Sequence, residues 1–484
     1  MNNICSPQRK NISIQTTSVF MMALLQLLSI IVLARVLTPL DFGKIAAASV
    51  IIALATMLSE IGIGSAIVQR KEISKRYIST AFNLSFILFI ILAVLIYISA
   101  PFIAKYNNDI SLVSIIRYLC IAFVFNGISS IPKGLLLRRL DYKGLMIVTV
   151  APFFISVNII STLLAIKGYG VWSLVIGQTI NGIMVFILSM VKSKIHINFQ
   201  WDNSHIKELA HFGGGITLSR IFNYLTVQGD KIILGNTIGL EVLGAFERLY
   251  KIVTLISSQI GSIFDSILFP IFSRIQDDKS STNSLYYQSI WVASLIGLMF
   301  SLILPLFSYE ITFLILGRQW IEYSYILQLL LFLPFTRLLT RVGDAVLRSF
   351  SMVYQSAFIK FCSAVITLSG LYFASKLDLF WLPFAYLVSS LFTAIALHIL
   401  IIWKTKSNGI KVLSTVLVNF IRLGMLFFPI WIGIYFLKNQ LNDLMIFSLK
   451  LVSLGIIFTI IIIWPKILGS KFLELTSSFR IFKK

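Results

Sequence analysis

A chain of 484 residues, 57% hydrophobic and only 12% charged, with a mean hydropathy of +0.91, falls outside the range of soluble globular domains and inside that of multi-span membrane proteins. The formal net charge of +22 would suggest a nucleic-acid partner in a soluble protein. Here the basic residues gather in short gaps between apolar segments, so no such partner is expected. The three cysteines, Cys5, Cys120 and Cys362, are too scattered for a disulfide framework or a thiolate metal site. His196, His205 and His211 share one gap without the spacing of metal ligands, and neither a metal nor a cofactor is expected.

A membrane-crossing helix takes about twenty mostly apolar residues. Fourteen segments meet that length: 12–34, 45–65, 78–104, 111–131, 145–166, 170–191, 210–235, 243–271, 287–316, 323–347, 353–375, 380–403, 414–437 and 444–465. The fold class expected is therefore an all-α polytopic membrane protein. With the N-terminus placed in the cytoplasm, the cytoplasmic gaps hold 25 Lys and Arg and the opposite gaps hold 7. That asymmetry and the even count put both termini inside. No small-residue cleavage site follows the first apolar run, which is expected to remain as a helix and not to be removed as a signal peptide.

A self-comparison shows a duplication. Leu33 through Gly43 aligns with Leu234 through Gly244, pairing Leu37 with Ile238, Phe42 with Leu243 and Gly43 with Gly244. Each copy is a tight connection between the first two helices of a six-helix unit. Leu137-Arg138 aligns with Leu347-Arg348 at a similar offset. The expected organisation is an N-lobe over 1–200 (helices 1–6), a C-lobe over 201–407 (helices 7–12), and 408–484 holding two further helices and a basic cytoplasmic tail. Parallel repeats of this kind scaffold alternating-access transporters, with the substrate site between the halves near the midplane.

The stretch Leu33-Ala34-Arg35-Val36-Leu37-Thr38-Pro39-Leu40-Asp41-Phe42-Gly43, followed by Glu60 through Arg70, resembles the opening signature of polysaccharide flippases of the Wzx type. Gly229-Asp230-Lys231-Ile232-Ile233-Leu234-Gly235 and Gly244-Ala245-Phe246-Glu247-Arg248-Leu249-Tyr250 resemble its repeat, and Phe269 through Asp278 the intracellular turn after it. The resemblance implies the fold of the multidrug and oligosaccharidyl-lipid/polysaccharide exporters, two six-helix lobes in a V plus two C-terminal helices. It implies a carrier, not an enzyme, that moves undecaprenyl-pyrophosphate-linked oligosaccharide to the outer leaflet for O-antigen, capsule or exopolysaccharide synthesis. The implied location is the bacterial cytoplasmic (inner) membrane. Membrane lipids, a polysaccharide polymerase and a chain-length regulator are the candidate partners. A cation-coupled multidrug antiporter and a peptidoglycan lipid-precursor flippase are the alternatives on the same scaffold.

Moving a pyrophosphate through hydrocarbon requires cations, best supplied by the planar fork of arginine. Arg337, Arg341, Asp344 and Arg348 stand at i, i+4, i+7 and i+11, one stripe of a helix, with Asp344 in pairing reach of Arg341 and Arg348. Lipid exposure of such a stripe is costly, so it should face other helices or a wet cavity. A helix ending near Thr340, with Arg341 and Arg348 in a loop, is the competing reading. The other substrate-binding candidates are Arg220, Lys231, Arg248, Lys251 and Arg117. For Arg117 a cation satisfied at the membrane interface is the simpler reading. Glu247 is placed to pair with Lys251 at i+4.

Among the carboxylates Glu60, Asp230, Glu247, Asp265 and Asp344, the ion-coupling candidates are Asp230, Glu60 and Asp344. Asp230 and Glu60 lack a basic residue at i±3 or i±4. Gly213-Gly214-Gly215 has no following Lys-Ser/Thr and is not a phosphate loop. Pro101, Pro132, Pro152, Pro270, Pro305, Pro334, Pro383 and Pro429 lie in or at the ends of apolar spans, and most are expected to kink their helices. The tail from Lys471 to Lys484 is basic enough to lie on anionic lipid.

Overall fold

The computed structural model describes residues 5–59, 67, 70, 72–195, 224, 228–437 and 442–463; these are almost wholly helical, with no strand among them. Glu60, Arg220, the triple glycine, the three histidines of one gap and the basic tail lie outside the described residues. Among the described residues, eleven helices are long and apolar enough to cross a membrane, or twelve if a bent pair counts as one span. The fold is all-α and polytopic, as expected. The count of fourteen is not reached among the described residues. Segment 210–235 lies mostly outside them, and segment 444–465 has a described apolar part of only Met445–Ile457.

Two compact units are present. The first gathers Met1–Arg248 with Leu314–Trp320 and Leu371–Leu377; the second gathers Leu249–Phe313, Ile321–Gly370 and Asp378–Lys484. In the first, α1 (Cys5–Val36), α2 (Pro39–Ser59), α3 (Lys75–Tyr106) and α4 (Ser111–Ile128) follow in order. After these come α5 (Ser130–Arg138), α6 (Tyr142–Phe153) and α7 (Val171–Ser193). Helix α8 (Leu240–Ile275) begins in this unit and continues into the second. The second unit adds α9 (Lys279–Ile303), α10 (Ser324–Leu330), α11 (Leu333–Ser349) and most of α12 (Val353–Ala374), whose last four residues belong to the first. It ends with α13 (Leu382–Thr405), α14 (Gly409–Leu437) and α15 (Asp443–Ile463).

Helix starts follow capping chemistry. The Ser74 hydroxyl accepts from the Tyr77 amide at 3.1 Å and Asp141 from the Gly144 amide at 2.8 Å. Asp278 opens α9, and bonds from Ser281 and Ser280 hold its carboxyl down to about 2, so the cap stays charged at physiological pH. Asp109, in the turn before α4, would be raised by burial. The Ser111 hydroxyl and amide, with the Lys44 ammonium at 3.2 Å, hold it below the ordinary carboxylate range instead.

Proline breaks one span outright. Helices α10 and α11 bend by 41°. Pro334 near the start of α11 has no N–H, and its ring clashes with the carbonyl four residues back, at Leu330, where α10 stops. The Ser301 hydroxyl, on α9, donates to Phe332 O and accepts from the Phe335 amide, each at 3.1 Å. One side chain thereby satisfies two backbone groups that the break leaves open. Pro101, Pro152, Pro270 and Pro429 lie inside their helices.

The two aligned turns pack on each other within the first unit. A Cβ added to Gly43 would lie 1.6 Å from Leu240 O, and one added to Gly244 would lie 1.9 Å from Pro39 O. Only hydrogen at both positions permits the approach. The last carbonyls of α1 are satisfied nearby. Gln319 donates to Ala34 O and Leu37 O at 2.6 and 2.7 Å, and the Trp320 indole donates to Ala34 O at 2.8 Å. Trp320 is fully buried, 5.6 Å from the Phe42 ring. Gly43→Ala is expected to lower stability in detergent by about 1–3 kcal/mol, the range for forcing methyl groups into packed contacts. Gly433→Ala, in open space, leaves the melting midpoint unchanged; equal midpoints for the two variants would show that the turns do not meet.

Candidate functional site

The charged stripe exists and lies on a helix. Helix α11 continues through Ser349, which removes the reading that ended it near Thr340. Its apolar faces are held by Leu338, Val342, Ala345 and Val346, all buried, against residues of α9 and α13 such as Ile290 and Leu397. With those faces buried, the three arginines of the stripe reach α8.

Across from the stripe, α8 supplies the partners. Arg337 Nη2 donates to the Tyr250 hydroxyl at 2.6 Å and Nη1 to Thr254 Oγ1 at 3.4 Å, with Cζ 5.0 Å from the Tyr250 ring centroid. Tyr386 of α13 packs against that ring at 4.9 Å. Among the described residues Arg337 has only these neutral partners, so its charge is uncompensated. About three turns past Thr254 on α8, Asp265 takes Arg341 at 2.9 Å and Arg348 at 2.5 Å. A Cβ on Gly261 would lie 2.9 Å from Arg341 Nε, so that glycine makes room for the guanidinium.

Asp344 pairs differently from the local expectation. Its carboxylate takes Lys360 at 2.8 Å and the Ser356 hydroxyl at 2.9 Å, both from α12, while the stripe's arginines turn to Asp265. Of the stripe, only Arg348 Nε reaches Asp344, at its backbone carbonyl, 3.2 Å away. A carboxylate on a facing helix outcompetes one on the same helix because the long arginine side chains extend off the helix surface.

The remaining candidates fall into separate places. Lys231 pairs with Glu247 at 2.8 Å, so Glu247 has a partner from the preceding segment beside its expected i+4 neighbour Lys251. Asp230 is buried, and one of its oxygens accepts the Lys231 amide at 2.8 Å. Arg248 lies over the Phe42 ring at 3.8 Å, with a buried Nε that finds no acceptor among the described residues. Lys251 is exposed on α8. Arg117 stands on α4, over the Tyr97 ring at 4.4 Å. Thus Arg337, Arg341 and Asp344 share one helix, and Lys231 and Arg248 belong with the aligned turns.

Sequence reasoning missed Tyr250, Tyr386 and the roles of Asp265 and Glu310. Glu310 forms a largely buried pair with Lys450 of α15 at 2.6 Å, their side chains 13% and 8% exposed. Single charges on two distant helices carry no spacing signal. Asp265→Asn leaves two guanidinium groups without their shared counter-charge. In a double-mutant cycle with Arg341→Gln, the stability losses are expected to be less than additive. With those arginines 43% and 44% exposed, the coupling is about 0.5–1 kcal/mol; strictly additive losses would remove the pair.

Residues 32–325 match the model of the family described as "Polysaccharide biosynthesis protein". Among curated proteins, the chain is 28% identical over 319 residues to lipopolysaccharide biosynthesis protein WzxC of Escherichia coli (strain K12), a match covering 63% of this chain and 62% of that protein. It is 28% identical over 299 residues to teichuronic acid biosynthesis protein TuaB of Bacillus subtilis (strain 168), covering 60% and 61%. These matches span about three fifths of each relative's length. Among solved structures, the lipid II flippase MurJ in an inward closed conformation superposes with a TM-score of 0.73 at 12% identity, over 93% of this chain and 99% of that one. An inward-facing multidrug resistance MATE family transporter gives 0.59 at 14% identity, over 81% and 94%. At these identities the structural likeness concerns the fold.

Proposed function

Since the chain belongs to the family described as polysaccharide biosynthesis protein, we propose that it is a flippase for undecaprenyl-pyrophosphate-linked oligosaccharide, carrying the unit across the cytoplasmic membrane by alternating access. The observation that carries this reading is Arg337. A guanidinium in a membrane-spanning helix, held by two hydroxyls and an aromatic face, costs desolvation that no counter-charge among the described residues offsets. Such a cation is suited to an anion that arrives and leaves.

On this reading the pyrophosphate is bound by the Arg337 fork, with Arg341 beside it once the phosphate competes with Asp265. Tyr250 and Tyr386 offer ring faces and a hydroxyl to sugar. Lys231, Arg248, Lys251 and Arg220 are further cationic candidates along the substrate's route. Asp230, Glu60 and Asp344 are the candidates for coupling to an ion. The lobes are 1–200 and 201–407, with 408–484 appended and both termini in the cytoplasm. A polymerase and a chain-length regulator would act on the delivered unit. The protein performs transport and makes or breaks no covalent bond.

A multidrug antiporter moving cations would need unpaired carboxylates. Asp265 is shared by two arginines and Asp344 is paired with Lys360, which favours an anionic substrate. A peptidoglycan-precursor flippase shares the anionic chemistry and is separated by which polymer fails. In a strain lacking this gene, Arg337→Ala expressed at normal membrane level is expected to restore less than about a tenth of the surface glycan, the loss of one charged hydrogen-bonding group. Arg337→Lys is expected to restore part of it. Full glycan with Arg337→Ala would remove this residue from transport, and a defect in peptidoglycan alone would transfer the protein to the rival substrate.

A further inference from the structure

The first unit carries a groove on its outer surface that takes no part in the arginine stripe. Between α3 and α4 lies an open cavity of about 840 Å³, and a second of about 480 Å³ adjoins it through the shared residues Ile90, Ile121 and Val124. Chemistry changes along its length. One end holds Tyr97, Ser111, Arg117 and Tyr118; the other is walled by Phe82, Phe86, Phe125 and Phe186. Neither lining contains a carboxylate.

Arg117 is the only charged residue of that lining. Its guanidinium rests on the Tyr97 ring at 4.4 Å, and its buried Nε has no acceptor among the described residues. The nearest carboxylate in sequence, Asp109, is engaged by Ser111 at 2.6 Å and by Lys44 at 3.2 Å. Tyr118 is half exposed and packs edge-on against Trp172 at 5.0 Å, setting two amphipathic rings beside the cation. Eleven residues of α4 separate Arg117 from Ile128 at the apolar end, about 17 Å of helix. That length matches one leaflet, half of a hydrocarbon core about 30 Å thick.

We infer that this groove is a binding site for an anionic phospholipid, its phosphodiester on Arg117 and one acyl chain laid along α3 and α4 toward Phe82. One cation answers the single negative charge of a phosphodiester, whereas a diphosphate carrier would bring more charge than the groove meets. A zwitterionic headgroup would bring an ammonium for which the lining offers no carboxylate. The basic-residue count places the Arg117 end on the side opposite the cytoplasm, so the lipid belongs to the outer leaflet.

Native mass spectrometry of the full chain in detergent tests this, with phosphatidylglycerol, phosphatidylethanolamine and undecaprenyl phosphate as the probes. A photo-crosslinking residue at Ile121 reports occupancy of the groove itself. Phosphatidylglycerol is expected to bind about tenfold tighter than phosphatidylethanolamine and to crosslink at 121, the ammonium of the latter competing with Arg117 for its own phosphate and finding no carboxylate in the lining. Arg117→Gln is expected to erase the preference and Arg117→Lys to keep most of it; should Arg117→Gln not fold, the wild-type preference and crosslink decide. Equal binding of the two phospholipids, or crosslinking that Arg117→Gln leaves unchanged, would overturn the inference. Preferential crosslinking of undecaprenyl phosphate would overturn it in favour of the carrier lipid.

Discussion

Hydrocarbon offers no hydrogen bonds, and several departures from regular helix in this protein are answered under that constraint. Where Pro334 breaks the span between α10 and α11, the Ser301 hydroxyl supplies both a donor and an acceptor. Where α1 ends, Gln319 and Trp320 reach its last carbonyls. Where two connections cross, Gly43 and Gly244 let backbone meet backbone. Stability of the fold lies in these local settlements as much as in apolar packing.

Charges obey the same constraint, and they divide into two kinds. Lys450 with Glu310, Lys231 with Glu247, and Asp265 with its two arginines are compensated. Such pairs tie neighbouring segments together, and removing one partner leaves the other charge uncompensated. Arg337 and Arg117 stand apart, held by hydroxyls or rings with no counter-charge among the described residues. An uncompensated cation is expensive to keep in a membrane helix, which is why Arg337 carries the functional reading and Arg117 the inference of a lipid site.

Much of this was legible in the residues themselves. Long apolar runs located the helices, and the spacing of Arg337, Arg341, Asp344 and Arg348 gave both the helix and its charged face, since 3.6-residue periodicity survives in lipid as in water. The self-alignment of Leu33–Gly43 with Leu234–Gly244 marked two equivalent turns. That these turns pack on each other was not legible, because a glycine does not announce its neighbour. Partner choice was also hidden. The i+3 and i+4 rule assigned Asp344 to Arg341 and Arg348, yet Asp265, more than seventy residues away in sequence, takes them. Tyr250 and Tyr386 sat unnoticed in apolar runs, where a ring that packs and a ring that binds look alike.

The central claim is that an uncompensated guanidinium on α11 binds a lipid-linked diphosphate during its passage. Reconstitution of the full chain in liposomes with a fluorescent undecaprenyl-diphosphate oligosaccharide, read by loss of outer-leaflet fluorescence to a membrane-impermeant quencher, tests it most directly. The account predicts that the wild-type protein makes the inner-leaflet pool accessible to the quencher, and that Arg337→Ala leaves that pool protected as in protein-free liposomes. Equal rates for wild type and Arg337→Ala would contradict it.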